Sequence, residues 1–265
     1  MAVGMLFSIF MFVIAHKAAD ETKTQTRQRT TQNYSSSAQR DAEQLLQRAT
    51  ANDAAATRQI ETRAATWRGR IQLTPQLTNL VTAGLNANDM RVRAATVQLD
   101  LAAMNVAEDA ASVDRLATQA DSPDHATRIW ALWTLGLLAN RGIATERVAD
   151  LLTAHLADAD VEARRWAVEG LAYSGVDAAI QPLLKTMHDD ASPMVRERAA
   201  CSLAQTGMFT FDQRRSVIPT LLAYADDSTL DAATRAWTFH ALRDITGQRF
   251  PDDPARWKDW YEKNR

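Results

Sequence analysis

The chain has little that breaks or cross-links a fold, and little net charge. Its 265 residues include 9 glycines, 7 prolines and a single cysteine, Cys201. One cysteine excludes an internal disulfide. Cys201 stands inside a helical repeat, where a small buried or half-buried residue is expected rather than a reactive thiol. No run of alternating β-branched residues is long enough to read as a strand, which argues against a sheet. The net charge of −2 provides no overall basic field for nucleic acid. His16, His125, His155, His188 and His240 fall at no i, i+3 or i+4 spacing, and no cysteine pair supports them, so no metal site is expected. Dinucleotide-binding, Walker and nucleophile-elbow motifs are missing. The carboxylates gather at helix starts and ends, where capping accounts for them. No catalytic residue, cofactor or small-molecule substrate is implied.

What is present is a repeat. From Arg128, four residues back is Asp124, three on is Ala131 and seven on is Leu135. The same offsets give Asp160, Ala167 and Leu171 from Arg164, and Ser192, Ala199 and Leu203 from Arg196. From Arg235 they give Asp231, Thr238 and Leu242. Copies 32 to 39 residues apart indicate a stacked architecture. Offsets −1, +3 and +7 share one helical face, with a small residue at the centre that admits a neighbouring helix. The Asp or Ser at −4 stands where an N-cap belongs, and Pro193 follows Ser192 at the first helical position. Each such helix follows another amphipathic one, so the unit is helix–turn–helix and buries its apolar face only by stacking.

The pattern Asp-x-x-x-Val-Arg-x-x-Ala-x-x-x-Leu resembles the short bacterial HEAT-like repeat, the variety also found in phycobilisome lyases. The resemblance runs from about Gln39 to Gly247. It implies an all-α solenoid of six stacked helix pairs and a non-catalytic scaffold for a protein partner. The first copies depart from it: Arg91 has Ala94 but its leucine comes late, at Leu99, and Arg58 has Glu61 and Ala65. Helices are expected near 38–50, 54–70, 75–86, 89–106, 109–120, 124–140, 144–157, 160–174, 176–188, 193–207, 211–225 and 231–246. Stops fall at Thr74-Pro75, Gly142, Gly175, Gly207 and Gly247. After Gly247 the chain restarts at Asp253-Pro254, and Trp257, Trp260 and Tyr261 share a face. This resembles an ending common in bacterial HEAT-like proteins, and residues 251–265 are expected to cap the 38–250 solenoid.

Met1 to Ala15 carries no charged side chain. Residues 1–16 are read as a membrane anchor. The alternatives are a signal peptide cleaved near Ala15, which lacks a basic n-region, and an apolar helix capping the solenoid. Lys17, Lys23, Arg27 and Arg29 follow the segment and no Lys or Arg precedes it, which places the solenoid in the cytoplasm. Residues 17–37 read as a polar linker.

Two features bear on binding. The motif helices carry an arginine excess that predicts a positive concave side. Against this stands a structural reading in which Arg128, Arg164, Arg196 and Arg235 form a ladder with Asp residues of adjacent turns. Offset +2 holds Trp130, Trp166, Arg198 and Trp237, on the flank of the core face. Trp133, at +5, is expected to point further out, and the five are the candidate partner-binding ridge. A phycobilin-lyase-like enzyme and a nucleic-acid-binding HEAT-like protein are the alternatives.

Overall fold

The computed structural model describes residues 36–264. The expected N-terminal segment, and all but the end of the linker, lie outside them. Twelve helices form six consecutive pairs: α1 (Ser36–Thr50) with α2 (Ala54–Trp67), and α3 (Pro75–Leu85) with α4 (Met90–Ala103). Next come α5 (Ala110–Ala120) with α6 (His125–Asn140), and α7 (Thr145–Ala154) with α8 (Val161–Ser174). The remainder are α9 (Ile180–Asp189) with α10 (Pro193–Ala204), then α11 (Phe211–Ser216), and α12 (Ile218–Asp226) with α13 (Ala232–Thr246). The chain closes with α14 (Pro254–Asn264). Second helices stack in order, α2 on α4, α4 on α6, α6 on α8, α8 on α10 and α10 on α13. The fold is an all-α solenoid.

The caps set the register. Asp53, Asp89, Asp124, Asp160 and Asp231 each accept backbone N–H bonds at the start of a second helix. Ser192 sits in the same place, but its hydroxyl makes no such bond, leaving Pro193 to start α10. Four residues beyond each cap stand Thr57, Arg93, Arg128, Arg164, Arg196 and Arg235. The motif position in the first two pairs is therefore Thr57 and Arg93, not Arg58 and Arg91. Counted from there, the +3 residues Ile60, Thr96, Ala131, Ala167, Ala199 and Thr238 have no exposed surface. The +7 residues are Ala64, Asp100, Leu135, Leu171, Leu203 and Leu242, all buried. A carboxylic acid thus occupies a leucine's place in α4.

Packing between second helices is closest at α6 and α8, where a Cβ on Gly136 would lie 2.3 Å from the Gly170 carbonyl oxygen. Glycine at both points brings the two backbones into contact.

The span 211–225 is not one helix. Pro219 has no N–H to give the Arg215 carbonyl and its ring crowds that turn, so the chain breaks at Val217 between α11 and α12. At the far end α14 lies against α12. Trp257 is fully buried, edge-on to Phe250 and Trp260, and its indole N–H donates to the Pro251 carbonyl at 3.0 Å. This is the expected cap on the last pair. Among the described residues no helix is long and apolar enough to cross a membrane.

Candidate functional site

The motif arginines brace one pair against the next. Arg128 donates to its own turn at the Ser122 carbonyl (2.9 Å) and to Asp160 of the following pair (2.7 Å). Arg164 repeats this with the Asp158 carbonyl (2.9 Å) and the Asp190 carboxylate (2.8 and 3.1 Å). Arg196 does so with the Asp190 carbonyl (2.6 Å), Asp231 (2.8 Å) and the Thr234 hydroxyl (2.9 Å). Burial works against ionisation of Asp160, yet Arg128, His125 and the Glu162 N–H together hold it at about 2. Arg235, on the last pair, makes no such guanidinium bond among the described residues.

Arg93 starts the same way, donating to the Ala87 carbonyl six residues back. Its other end finds no aspartate of the next turn. Its guanidinium reaches the carbonyls of Gln205 (3.2 Å) and Gly207 (2.7 Å), across the concave side. Gly207 makes that target possible. It has φ 78°, and a Cβ there would lie 2.5 Å from the Ala172 carbonyl oxygen. Beside it the Tyr173 hydroxyl donates to the Leu85 carbonyl at 3.2 Å. The turn after α3 is thereby fastened to the ends of α8 and α10, and the superhelix is clasped shut.

Under the clasp lies a cleft of about 40 Å³. Its walls are Trp133, Trp166 and Tyr173, with Glu169 and Arg198 between them and Asn86 and Thr206 at the rim. Trp133 stands edge-on to Trp166 at 5.9 Å and to Tyr173 at 4.7 Å. Arg198 and Glu169 are ion-paired at 3.2 Å, and the Glu169 carboxylate holds the guanidinium above its usual pKa. The contact runs from Arg198 Nη1 to Glu169 Oε1 and is not aligned as a hydrogen bond, while Arg198 Nε takes no part in it and lacks a hydrogen-bond partner. The indole nitrogens of Trp133 and Trp166 lack one as well. Of these atoms, Glu169 Oε1 faces the Arg198 guanidinium and the Trp133 N–H acts on the Asp100 carboxyl, which leaves Trp166 Nε1 and Arg198 Nε buried without a partner among the described residues.

Behind Trp133 lies Asp100, whose carboxyl oxygens are buried and make no hydrogen bond. Burial raises its pKa to about 7, and the Trp133 indole N–H only partly opposes the shift. Burial likewise raises the Tyr173 hydroxyl and the Cys201 thiol, so Cys201 is half-buried and protonated, as a packing residue would be.

Of the five ridge residues, the structure gathers Trp133, Trp166 and Arg198 and leaves Trp130 and Trp237 outside the cleft, half-buried against the core. Trp133 does not point into solvent: it is 7% exposed. Its helical angle does face the concave side, but that side is covered by the α3 end. Arg128, Arg164 and Arg196 are matched by aspartates in the ladder and Arg198 by Glu169, whereas Arg93 meets only neutral carbonyls and keeps its charge. Sequence reading missed Glu169, Tyr173 and Asp100. Counting from the Asp89 cap would have exposed Asp100 as an acid at a leucine position.

Stacked pairs of this kind, braced turn to turn, have a counterpart among known families. Residues 149–243 match the model of HEAT repeats. The HEAT match begins in α7 and ends in α13, so it takes in Trp166, Glu169, Tyr173 and Arg198 but not Trp133 or Asp100. The HEAT-like stacking continues through the earlier pairs. No curated protein matches the chain.

Proposed function

We propose that this HEAT-like solenoid is a non-catalytic interaction scaffold that receives part of a protein partner in the concave cleft. The observation that carries this reading is a concave cleft lined by Trp133, Trp166, Tyr173, Glu169 and Arg198 in a chain whose residues 149–243 match HEAT repeats. The finer part of the proposal is a tether. Residues 1–16 form an uncharged apolar segment, which we read as anchoring the solenoid to a membrane on the cytoplasmic side.

The test is affinity purification of the full-length protein from native membranes, with mass spectrometry of what accompanies it. The comparison is Asn86→Trp, which places a ring at the cleft mouth from an exposed position and gives up one bond, from Asn86 to the Thr82 carbonyl at 2.8 Å; Asn86→Ala, which gives up that bond without the ring, is the control. A partner recovered with the native chain and lost with the plugged one supports the reading. Identical recoveries overturn it. For the tether, full-length protein should resist extraction by alkaline carbonate, and release by carbonate removes that part alone.

A further inference from the structure

The turns that join the two helices of each pair lie along one edge of the solenoid, where the arginine ladder runs. The ion pairs that bridge successive pairs there do not balance alike. Between the third and fourth pairs, Asp121, Asp158 and Asp160 face one guanidinium, Arg128, and two imidazoles, His125 and His155. His125 Nδ1 lies 2.6 Å from Asp160, on the oxygen that Arg128 also holds. His155 lies 3.6 Å from Asp121 of the third pair and 3.7 Å from Asp158 of its own. Between the fourth and fifth pairs, Arg164 meets Asp190, one cation to one anion, and no imidazole bridges that junction among the described residues. Between the fifth and sixth, Asp227 and Asp231 face one guanidinium, Arg196, and one imidazole, His188. Asp189, which also faces the His188 ring, is matched by Lys185, and the Tyr224 ring packs beside them.

The shortfall of permanent positive charge at each junction therefore equals its number of histidines: two, none and one. Histidine is the side chain whose ordinary titration falls between about pH 5 and 8. Neutral imidazoles leave unmatched carboxylates at two junctions, and like charges there repel. We propose that His125, His155 and His188 form a proton-operated hinge: when charged they close the third pair onto the fourth and the fifth onto the sixth, and when neutral they let both junctions open along this edge while the fourth and fifth stay locked together. For His188 the two flanking carboxylates, Asp189 first, raise the pKa, so its closing effect is full below the ordinary value and lost as pH rises through the raised one. The hinge does not depend on what occupies the cleft.

Hydrogen exchange on full-length protein at about pH 5.5 and about pH 8.5 tests this across the histidine range. Each rate is divided by that of an unstructured peptide at the same pH, which cancels the intrinsic dependence. A partly exposed ion pair is worth about threefold, so protection should fall about tenfold over residues 121–128 and about threefold over 227–235, and stay level over 51–53, where no histidine stands. His125→Gln with His155→Gln should hold 121–128 at its alkaline value and leave 227–235 responsive, and His188→Gln should do the reverse. Asp121→Asn with Asp158→Asn keeps both histidines and the acceptor for the Asp160 N–H. It leaves Arg128 matched by Asp160 alone, so protonation now adds charge, and the pH dependence of 121–128 should invert. Inversion supports the hinge, because a packing role for these residues would not reverse the sign. Equal falls in all three segments, the result expected from Asp100 alone, overturn it. So do level protection throughout, a local fall that survives the histidine substitutions, or a fall of unchanged sign in the aspartate variant.

Discussion

Asp100 is the least economical residue in the molecule. Its neighbours in register are leucines or, in α2, an alanine, and each of these is satisfied by packing alone, whereas its carboxyl meets almost none of its hydrogen-bonding needs. Its pKa is about 7 in the folded chain against 3.8 ordinarily. Between those values the folded state holds a proton that the unfolded chain has released, so stability falls as pH rises toward 7 and levels off above it. Asp100→Asn should abolish that slope, measured as the change in urea midpoint between pH 5 and pH 7.5. A slope that persists unchanged would place its origin elsewhere. Trp133 carries the opposite lesson. Because it is wedged between Trp166 and Tyr173, Trp133→Ala should cost about 3–5 kcal/mol and lower the melting temperature clearly.

At the scale of the helix, the second members of each pair share one design of cap, brace and buried face. Leu171→Ala and Leu203→Ala should each cost about 2–5 kcal/mol, since both leucines are buried. Hydrogen exchange should show the loss first in α8 and α10 and their neighbours, because a solenoid's stability is close to a sum of neighbour terms. Equal loss across all pairs would contradict this. His188 braces α9 against the turn after α12. Its ring nitrogens face Asp189 (Nδ1) and Asp227 (Nε2, 3.1 Å), and these carboxylates raise its pKa above 6.5. Its contribution is therefore full below the ordinary value and lost as pH rises through the raised one. His188→Gln should flatten the pH dependence of protection in α12 while leaving α2 unchanged. The period, the caps and the braces were legible in the sequence because each depends on residues a few positions apart. The register of the first two pairs stayed open in the sequence because Arg58 and Arg91 lie one and two residues from the motif positions Thr57 and Arg93, and only the caps at Asp53 and Asp89 decide between them. The cleft was half legible. Its tryptophans and arginine follow from the +2 and +5 offsets, but the closure that buries them joins residues 88 to 114 apart, which no local spacing records.

Over the whole molecule, that closure sets the solenoid apart from an open spring. Arg93→Ala should open the concave side, seen as a larger radius of gyration by small-angle scattering and a red shift in tryptophan emission as Trp133 and Trp166 meet water. An unchanged radius with unchanged emission would mean that stacking alone fixes the curvature.

The clasp also makes the repeats countable. An open stack of helix pairs tolerates gain or loss of a unit, since each touches only its neighbours. Here Arg93 on the second pair must meet Gly207 just after the fifth. Duplicating the pair α5–α6 would move those two points apart by about 10 Å, one helix-packing spacing, and deleting it would drive them together by as much. Gene duplication, the ordinary way repeat proteins lengthen, is therefore blocked within this interval and left open only outside it, before α3 or after α10. Lineages carrying this clasp should vary in length at their ends while keeping the same number of pairs between arginine and glycine.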